Sequence, residues 1–300
     1  MAEPTLAIDI GGTKIAVALV DSSGTLVRSA TKPTPHSDAE SIWAVLERLV
    51  DETVHGTAIR GVGIASAGPI HLPSGTVSPI NIAAWHDFPL RDRIAGLLPG
   101  LPVRLGGDGL CMALGEHRHG AGRGAQFMLG MVVSTGIGGG LVLDGAPYDG
   151  RTGNAGHVGH VVVEPDGALC TCGGHGCVET VASGPHMAKW ARDHGWDAPS
   201  GADAKELADA ANAGDPIAIK AFRRGAAAVA ATIASVAAVC DLDLVVIGGG
   251  VAKSGALLFD PVREALRTYA GLDFLHGLRV VPAKLGGDAG LVGAAALVDS

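Results

Sequence analysis

Three of the five cysteines lie in one short segment, residues 170–177, which reads Cys-Thr-Cys-Gly-Gly-His-Gly-Cys. With a histidine upstream, they offer three thiolates and one imidazole, the ligand set of a closed tetrahedral zinc site with Zn–S distances of ~2.3 Å. A redox pair or inert buried thiols are weaker alternatives, because a Cys-x-Cys disulfide is strained. On spacing alone, His157 and His175 compete with His160 for the fourth position. We expect a structural zinc ion whose ligands are His160, Cys170, Cys172 and Cys177.

A carboxylate and a glycine turn follow the first apolar run, in the segment Asp9-Ile-Gly-Gly-Thr-Lys14. Such a segment can hold a magnesium-bound triphosphate, with the acid facing the metal and the backbone N–H groups facing the phosphates. Similar glycine clusters follow apolar runs at 134–140 and 247–250. An ordinary tight turn explains any single cluster, but three of them favour nucleotide phosphates. The P-loop pattern is absent, and the nearest dinucleotide pattern, at 120–125, does not follow a strand.

The elements that must position these residues alternate between strands and helices. Apolar runs and β-branched alternation predict strands over 6–10, 15–20, 25–29, 59–65, 101–105, 127–133, 141–143, 244–247 and 278–281. Helical spacing predicts helices over 42–50, 204–213, 216–239 and from 289 onward. The segment 134–140 is expected to be a loop. The chain is therefore predicted to have an α/β fold.

Composition limits the class of protein. The 300 residues include 46 glycines, about twice the usual share of ~7%. The formal net charge of −8, with scattered basic residues, disfavours nucleic acid as a partner. The longest apolar run, 225–240, is shorter than the ~20 residues of a membrane span, so we expect a buried helix and no membrane partner. Without a signal peptide pattern, a cytoplasmic location is expected.

Together these motifs resemble the ROK family of bacterial sugar kinases and repressors. The resemblance covers essentially the whole chain and is carried by segments 9–14, 134–140, 159–160, 170–179, 248–250 and 285–290. It implies the two-domain actin-like ATPase fold of the sugar kinase and hexokinase type, with a structural zinc site and a homodimeric assembly. The domains are expected to be a small one, 1–107 plus 289–300, and a large one, 108–288, with the zinc motif. Only eight residues precede Asp9, which favours the kinase branch over repressors with an N-terminal DNA-binding domain.

The resemblance also implies a role for individual residues. Asp108 matches the catalytic aspartate, the general base on the sugar 6-hydroxyl; without the family it would be read as a turn acid. The implied sugar contacts are Gly68, Asn81, Asp108, His157, His160 and Glu179. The implied contacts to ATP and Mg²⁺ are Asp9, Gly11, Gly12, Thr13, Lys14, Thr135, Gly136 and Gly249.

Two positions depart from the family pattern. Gly106-Gly107-Asp108 stands where the family has Glu-Asn-Asp, and His157 stands where it has glutamate. The base, the phosphate loops and the zinc ligands remain, so the departures concern the acceptor. We expect ATP-dependent phosphorylation of the 6-hydroxyl of a glucose-like hexose. The alternatives are a kinase for an amino-hexose such as kanosamine or glucosamine, and a non-catalytic sugar-sensing regulator.

Overall fold

The computed structural model of the protein describes residues 2–199 and 201–300. Its strands are β1 (Thr5–Ile10), β2 (Lys14–Val20), β3 (Leu26–Pro33), β4 (Val62–Ser66), β5 (Ile70–His71), β6 (Thr76–Val77), β7 (Val103–Gly107), β8 (Met128–Val133), β9 (Ile137–Leu143), β10 (Ala146–Tyr148), β11 (Leu244–Gly248) and β12 (Arg279–Pro282). Its α-helices are α1 (Ala39–Val54), α2 (Leu90–Leu97), α3 (Asp108–His119), α4 (Glu179–Ala182), α5 (Gly184–Asp193), α6 (Ala204–Asn212), α7 (Pro216–Cys240), α8 (Ala256–Tyr269) and α9 (Ala289–Ala296). The predicted α/β alternation is confirmed.

The chain divides into two compact units. The first consists of the described residues up to Gly124 together with Gly140–Gly156 and Leu285–Ser300. The second consists of Ala125–Gly139 and His157–Lys284. Two stretches that are expected in the large domain cluster with the first unit: α3 with the residues up to Gly124, and Gly140–Gly156.

The first sheet has the strand order β3-β2-β1-β4-β7, in which β1, β4 and β7 run parallel. Successive side chains of a strand point to opposite faces. Along β1, Leu6, Ile8 and Ile10 join the core that includes α1, whereas Ala7 packs with residues of α3 and α9. By this alternation the side chain of Asp9 lies on the face covered by α3 and α9. Small residues predominate on that face, so these two helices approach the sheet closely.

Helices α3 and α9 pack against each other backbone to backbone. A Cβ at Gly293 would overlap the carbonyl oxygen of Cys111, and a Cβ at Gly115 would overlap that of Ala289. Glycine at both positions is therefore required by close approach. This contact explains why α3 belongs to the first unit, and it fixes the helix that begins at Asp108.

The second sheet has the order β10-β9-β8-β11-β12, and β8, β11 and β12 run parallel. Strand β9 begins at Ile137, so the expected loop over 134–140 is wrong in its second half. The glycines there are strand residues: a Cβ at Gly140 would overlap the backbone of Leu110. Glycine therefore serves close packing at this position and does not mark a turn.

Helix α7 is long and apolar enough to cross a membrane by length and composition alone. In the second unit it packs against α4, α5, α6 and α8, and 56% of its most apolar stretch of 18 residues is buried. Asp215 caps its first turn by accepting from the N–H groups of Ile217 and Ala218. The helix is thus a core element of the second unit, as the sequence predicts.

Candidate active site and metal centre

The carboxyl ends of β1, β4 and β7 lie at one edge of the first sheet, which we call the carboxyl edge. The register aligns Ile10 with Ser66 and Ser66 with Gly107. In parallel α/β sheets, ligands bind outside this end of the strands. The glycine turn after β1, Gly68 after β4 and Asp108 after β7 therefore belong to one edge, although they are distant in sequence.

Asp9 and Asp108 are close enough at the carboxyl edge to affect each other's charge. Burial, followed by repulsion from Asp108, raises the pKa of Asp9 from 3.8 to about 6, and Lys14 partly opposes the shift. Asp108 itself is exposed, and its Oδ1 accepts the N–H of Gly109 at 2.7 Å. The pair thus offers one partly protonated carboxylate beside a more accessible one. A cation bound between such groups would favour the charged form of both.

The turn after β1 is held in place by β3 and the segment that follows it. The N–H of Gly11 donates to the carbonyl of Lys14 at 3.0 Å, closing the hairpin. Thr34 donates its hydroxyl to the carbonyl of Gly11 at 2.6 Å and its N–H to that of Thr13 at 3.0 Å. Thr13 and Lys14 remain exposed. The turn is therefore ordered while its polar side chains face outward.

Two of the expected sugar contacts lie together beside this turn. Gly12 has no room for a Cβ because the Asn81 side chain lies against it. The N–H of Ile80 donates to the carbonyl of Gly68 at 3.2 Å, and that of Ser78 donates to Pro69 at 2.9 Å. Backbone bonds thus hold the segment with Asn81 against the one with Gly68.

In the second unit, the residues expected to contact nucleotide meet at the ends of β8 and β11. Gly249 lies so close to the backbone of Val133 that a Cβ would overlap it, and its φ of +97° favours glycine. A Cβ at Gly250 would be 3.3 Å from the Ser134 hydroxyl oxygen. The segment with Thr135 and Gly136 and the turn with Gly249 are therefore neighbours, as the strand-end pattern predicts.

The metal-ligand prediction has a compact counterpart in the structure. The ligand atoms of four residues all lie within 4.8 Å of one another: His160, Cys170, Cys172 and Cys177. We call this group the Cys₃His cluster. The Nδ1 atom of His160 is 3.8 Å from the Cys170 sulfur, and the sulfurs of Cys172 and Cys177 are 3.7 Å apart. Three sulfurs and one imidazole nitrogen at these separations fit a zinc ion with tetrahedral coordination.

The competing histidines do not join the Cys₃His cluster. Nδ1 of His175 faces the carbonyl of Gly167 at 3.3 Å, and the ring of His157 stacks 6.4 Å from that of His160. Burial and the neighbouring thiols raise the pKa of Cys177 to about 12. A thiol so placed becomes a good ligand only when a cation stabilises its thiolate, which is the chemistry zinc would supply.

One structural role of Glu179 was not foreseen from the sequence. Its Oε2 accepts the N–H of Ile137 at 2.8 Å, directly after Gly136 and inside the expected loop over 134–140. Gly159, which precedes the His160 ligand, also packs so closely on the Ile137 carbonyl that a Cβ would overlap it. Both ends of the metal-binding segment therefore support the loop with Thr135 and Gly136. No sequence signal indicates this contact, because it joins residues from separate motifs.

A family model, described as the ROK family, matches residues 5–300 of the chain. The protein belongs to the ROK family. Membership is consistent with the two sheets, the strand-end glycine turns and the Cys₃His cluster described above.

Several curated relatives of this ROK protein are sugar kinases. A glucokinase of Thermotoga maritima is 36% identical, with 98% of this chain and 96% of the relative covered. An N-acetylmannosamine kinase of Yersinia pestis is 38% identical, with 97% and 96% covered. A crystal structure of a ROK family glucokinase from Streptomyces griseus, in complex with glucose and AMPPNP, is 35% identical, with 98% of both chains covered and a TM-score of 0.83.

Proposed function

We propose that the protein is a kinase that transfers the γ-phosphoryl group of ATP to the 6-hydroxyl of a glucose-like hexose. The observation that carries the proposal is the placement of Asp108 at the same carboxyl edge as Asp9 and the Gly11–Lys14 turn. The similarity to sugar kinases along almost the full chain supports the reaction class.

In this proposal Asp108 accepts the proton of the attacking hydroxyl. Phosphoryl transfer depends mainly on positioning and on electrostatic stabilisation of the phosphoryl oxygens. The Gly11–Lys14 turn would supply N–H groups and a lysine charge, and Asp9 would face the magnesium ion that accompanies ATP. In the second unit, backbone N–H groups of Thr135, Gly136 and Gly249 would bind phosphate oxygens.

The residues proposed to contact the acceptor are Gly68 and Asn81 in the first unit and His157, His160 and Glu179 in the second. In the first unit, Gly107 leaves open space before Asp108: a Cβ on it would meet only the Gly153 carbonyl, at 3.9 Å. A hydroxyl-binding site that lacks one partner group discriminates strongly among sugars. We therefore propose, more specifically, that the preferred acceptor is an amino-hexose such as glucosamine or kanosamine.

The decisive experiment is a coupled ADP-release assay over a panel of hexoses, amino-hexoses and N-acetylated amino-hexoses. Asp108→Asn should lower kcat by about 10²–10⁴-fold on the best acceptor while leaving KM for ATP nearly unchanged, because it removes a general base. Asp51→Asn, an exposed substitution on α1, is the matched control. Turnover by Asp108→Asn at the wild-type rate would refute the proposed base.

The alternative to an enzyme is a regulator that senses a sugar and transfers no phosphoryl group. The two departures, Gly107 and His157, favour it, because both alter expected sugar contacts. Calorimetry distinguishes the two functions. A sugar that binds in the presence of ATP and Mg²⁺ without any ADP release identifies a sensor.

A further inference from the structure

A cleft of about 700 Å³ opens on the second unit between α8, β12 and the turn that joins them. Its volume falls within the ~300–1,000 Å³ range of small-molecule sites. None of its lining residues belongs to the proposed sugar, nucleotide or metal sites. The cleft therefore needs an explanation of its own.

The floor of the cleft is apolar. Positions 263, 266 and 267 recur at helical spacing, so they share one face of α8, and Ala270 directly follows the last residue of this helix. Among the apolar residues that line the cleft, Leu266 and Ala270 are each 8% exposed, and Leu275 and Val280 are 4% and 6% exposed. Such a floor suits the apolar body of a ligand.

The rim of the cleft is cationic. Arg267, Arg279 and His276 line it and are exposed, and Nδ1 of His276 lies 4.0 Å from Oδ1 of Asp273. Among the residues that the structure describes, no side-chain hydrogen bond or ion pair engages Arg267 or Arg279. In a chain with a net charge of −8, two arginines without acidic partners at one cleft are suited to an anion.

A third arginine argues against an extended peptide as the occupant. Arg263 contacts Asp260 at 3.3 Å and donates to the carbonyl oxygen of Val280 at 3.0 Å. Val280 lies on β12, the last strand of its sheet. Because that carbonyl already has a donor, a peptide adding to this strand would lose a ladder hydrogen bond.

We propose that this cleft binds a small organic anion, an aryl or acyl phosphate or carboxylate. The apolar body lies on Leu266, Ala270 and Val280, and the anionic group is bound by Arg267 and Arg279. The site is independent of the proposed kinase activity, since it shares no residue with it.

The test is a calorimetric titration of the full chain with 1-naphthyl phosphate, an aryl phosphate dianion. We expect one saturable site that also binds in the presence of excess ATP. Arg267→Gln/Arg279→Gln should weaken binding about tenfold or more, since two charge-assisted hydrogen bonds are lost. Arg267→Lys/Arg279→Lys should restore most of it, and the control Arg48→Gln/Arg123→Gln should not change it.

Three results would overturn the proposal. The first is that 1-naphthyl phosphate binds the Arg267→Gln/Arg279→Gln variant as tightly as the wild type, and that excess ATP abolishes its binding to the wild type. The second is equally strong binding of uncharged 1-naphthol, which would remove the role of the arginines. The third is no binding of 1-naphthyl phosphate combined with a change in molar mass on light scattering in the double variant, which would identify the cleft as a contact between copies of the chain.

Discussion

The Cys₃His cluster and the carboxyl edge hold their functional side chains by different means. All four ligands of the cluster come from residues 160–177, a segment whose assigned helix is the short 3₁₀ turn ending at His160. At the carboxyl edge, Asp9 and Asp108 come from β1 and the start of α3, with β4 between their strands. The cluster is therefore one short segment that could hold a cation, whereas the edge depends on the packing of a whole sheet and its helices.

Loss of the metal should have the largest effect on stability. Cys172→Ser removes one thiolate, and structural zinc contributes about 10–16 kcal/mol of apparent binding free energy in model peptides. We expect loss of stoichiometric zinc by mass spectrometry and a loss of several kcal/mol in the free energy of unfolding. Cys240→Ser, a half-buried cysteine outside the cluster, is the matched control. Wild-type zinc content in Cys172→Ser would contradict the ligand assignment.

At the carboxyl edge, by contrast, a substitution in the contact between α3 and α9 should lower the free energy of unfolding. Gly293→Ala places a methyl group on the carbonyl of Cys111, forcing α3 and α9 apart, and should cost about 3 kcal/mol of unfolding free energy. Gly96→Ala in α2 meets nothing within 4 Å and should stabilise by up to about 1 kcal/mol. Urea unfolding of both variants measures the difference. Equal stabilities for the two would show that the α3–α9 contact is looser than described.

The same contrast between local and non-local contacts explains which parts of the fold and of the site can be predicted from the sequence. The cluster is predictable because its ligands are local, although spacing could not choose among His157, His160 and His175. Most strands of the two large sheets are predictable from their apolar runs, whereas β5, β6 and β10 are not, and parallel strands place Asp9 and Asp108 at one edge. The position of α3 in the first unit is not predictable, because the fit of Gly293 against Cys111 exists only after folding.

The glycine-rich segment 134–140 shows a second limit. Its composition predicts a loop, yet β9 begins at Ile137. Gly140 is small because Leu110 packs on it, which is a tertiary reason that no local pattern reveals. The bond between Glu179 and the N–H of Ile137 is unpredictable for the same reason.

The carboxyl edge should also respond to pH, through the buried carboxyl group of Asp9. The pKa of Asp9 is raised from 3.8 to about 6, so the folded protein retains a proton that the unfolded chain loses. The stabilisation of the folded state by this retained proton is complete below pH 3.8 and is lost as the pH rises through about 6. Asp9→Asn should therefore stabilise the protein by about 1 to 3 kcal/mol at pH 8 relative to its effect at pH 4.

A substitution with the opposite sign provides the control for Asp9→Asn. Hydrogen bonds from Ser41 lower the pKa of Asp38 to about 2, so its contribution is present above pH 3.8 and is lost in acid. Asp38→Asn should therefore destabilise at pH 8. Chemical unfolding of both variants at pH 8 and pH 4, and of Asp38→Asn also at about pH 2, checks the signs. Asp9→Asn should also lose kinase activity, and a gain of both stability and activity at pH 8 would remove Asp9 from the proposed nucleotide site.

The smallest effect on stability is expected at Gly107, where a change should act on specificity. Its φ of −67° is ordinary, and a Cβ there would meet only the Gly153 carbonyl, at 3.9 Å, so we expect Gly107→Asn to change the free energy of unfolding by no more than about 1 kcal/mol although the position is buried. The new amide would offer a partner to a sugar hydroxyl and should shift the kcat/KM ratio of glucose to glucosamine about tenfold or more towards glucose. Gly107→Ala, which fills the space without an amide, should leave the ratio unchanged. Equal shifts in both variants would mean that volume, and not the missing hydrogen-bond partner, selects the acceptor at the carboxyl edge.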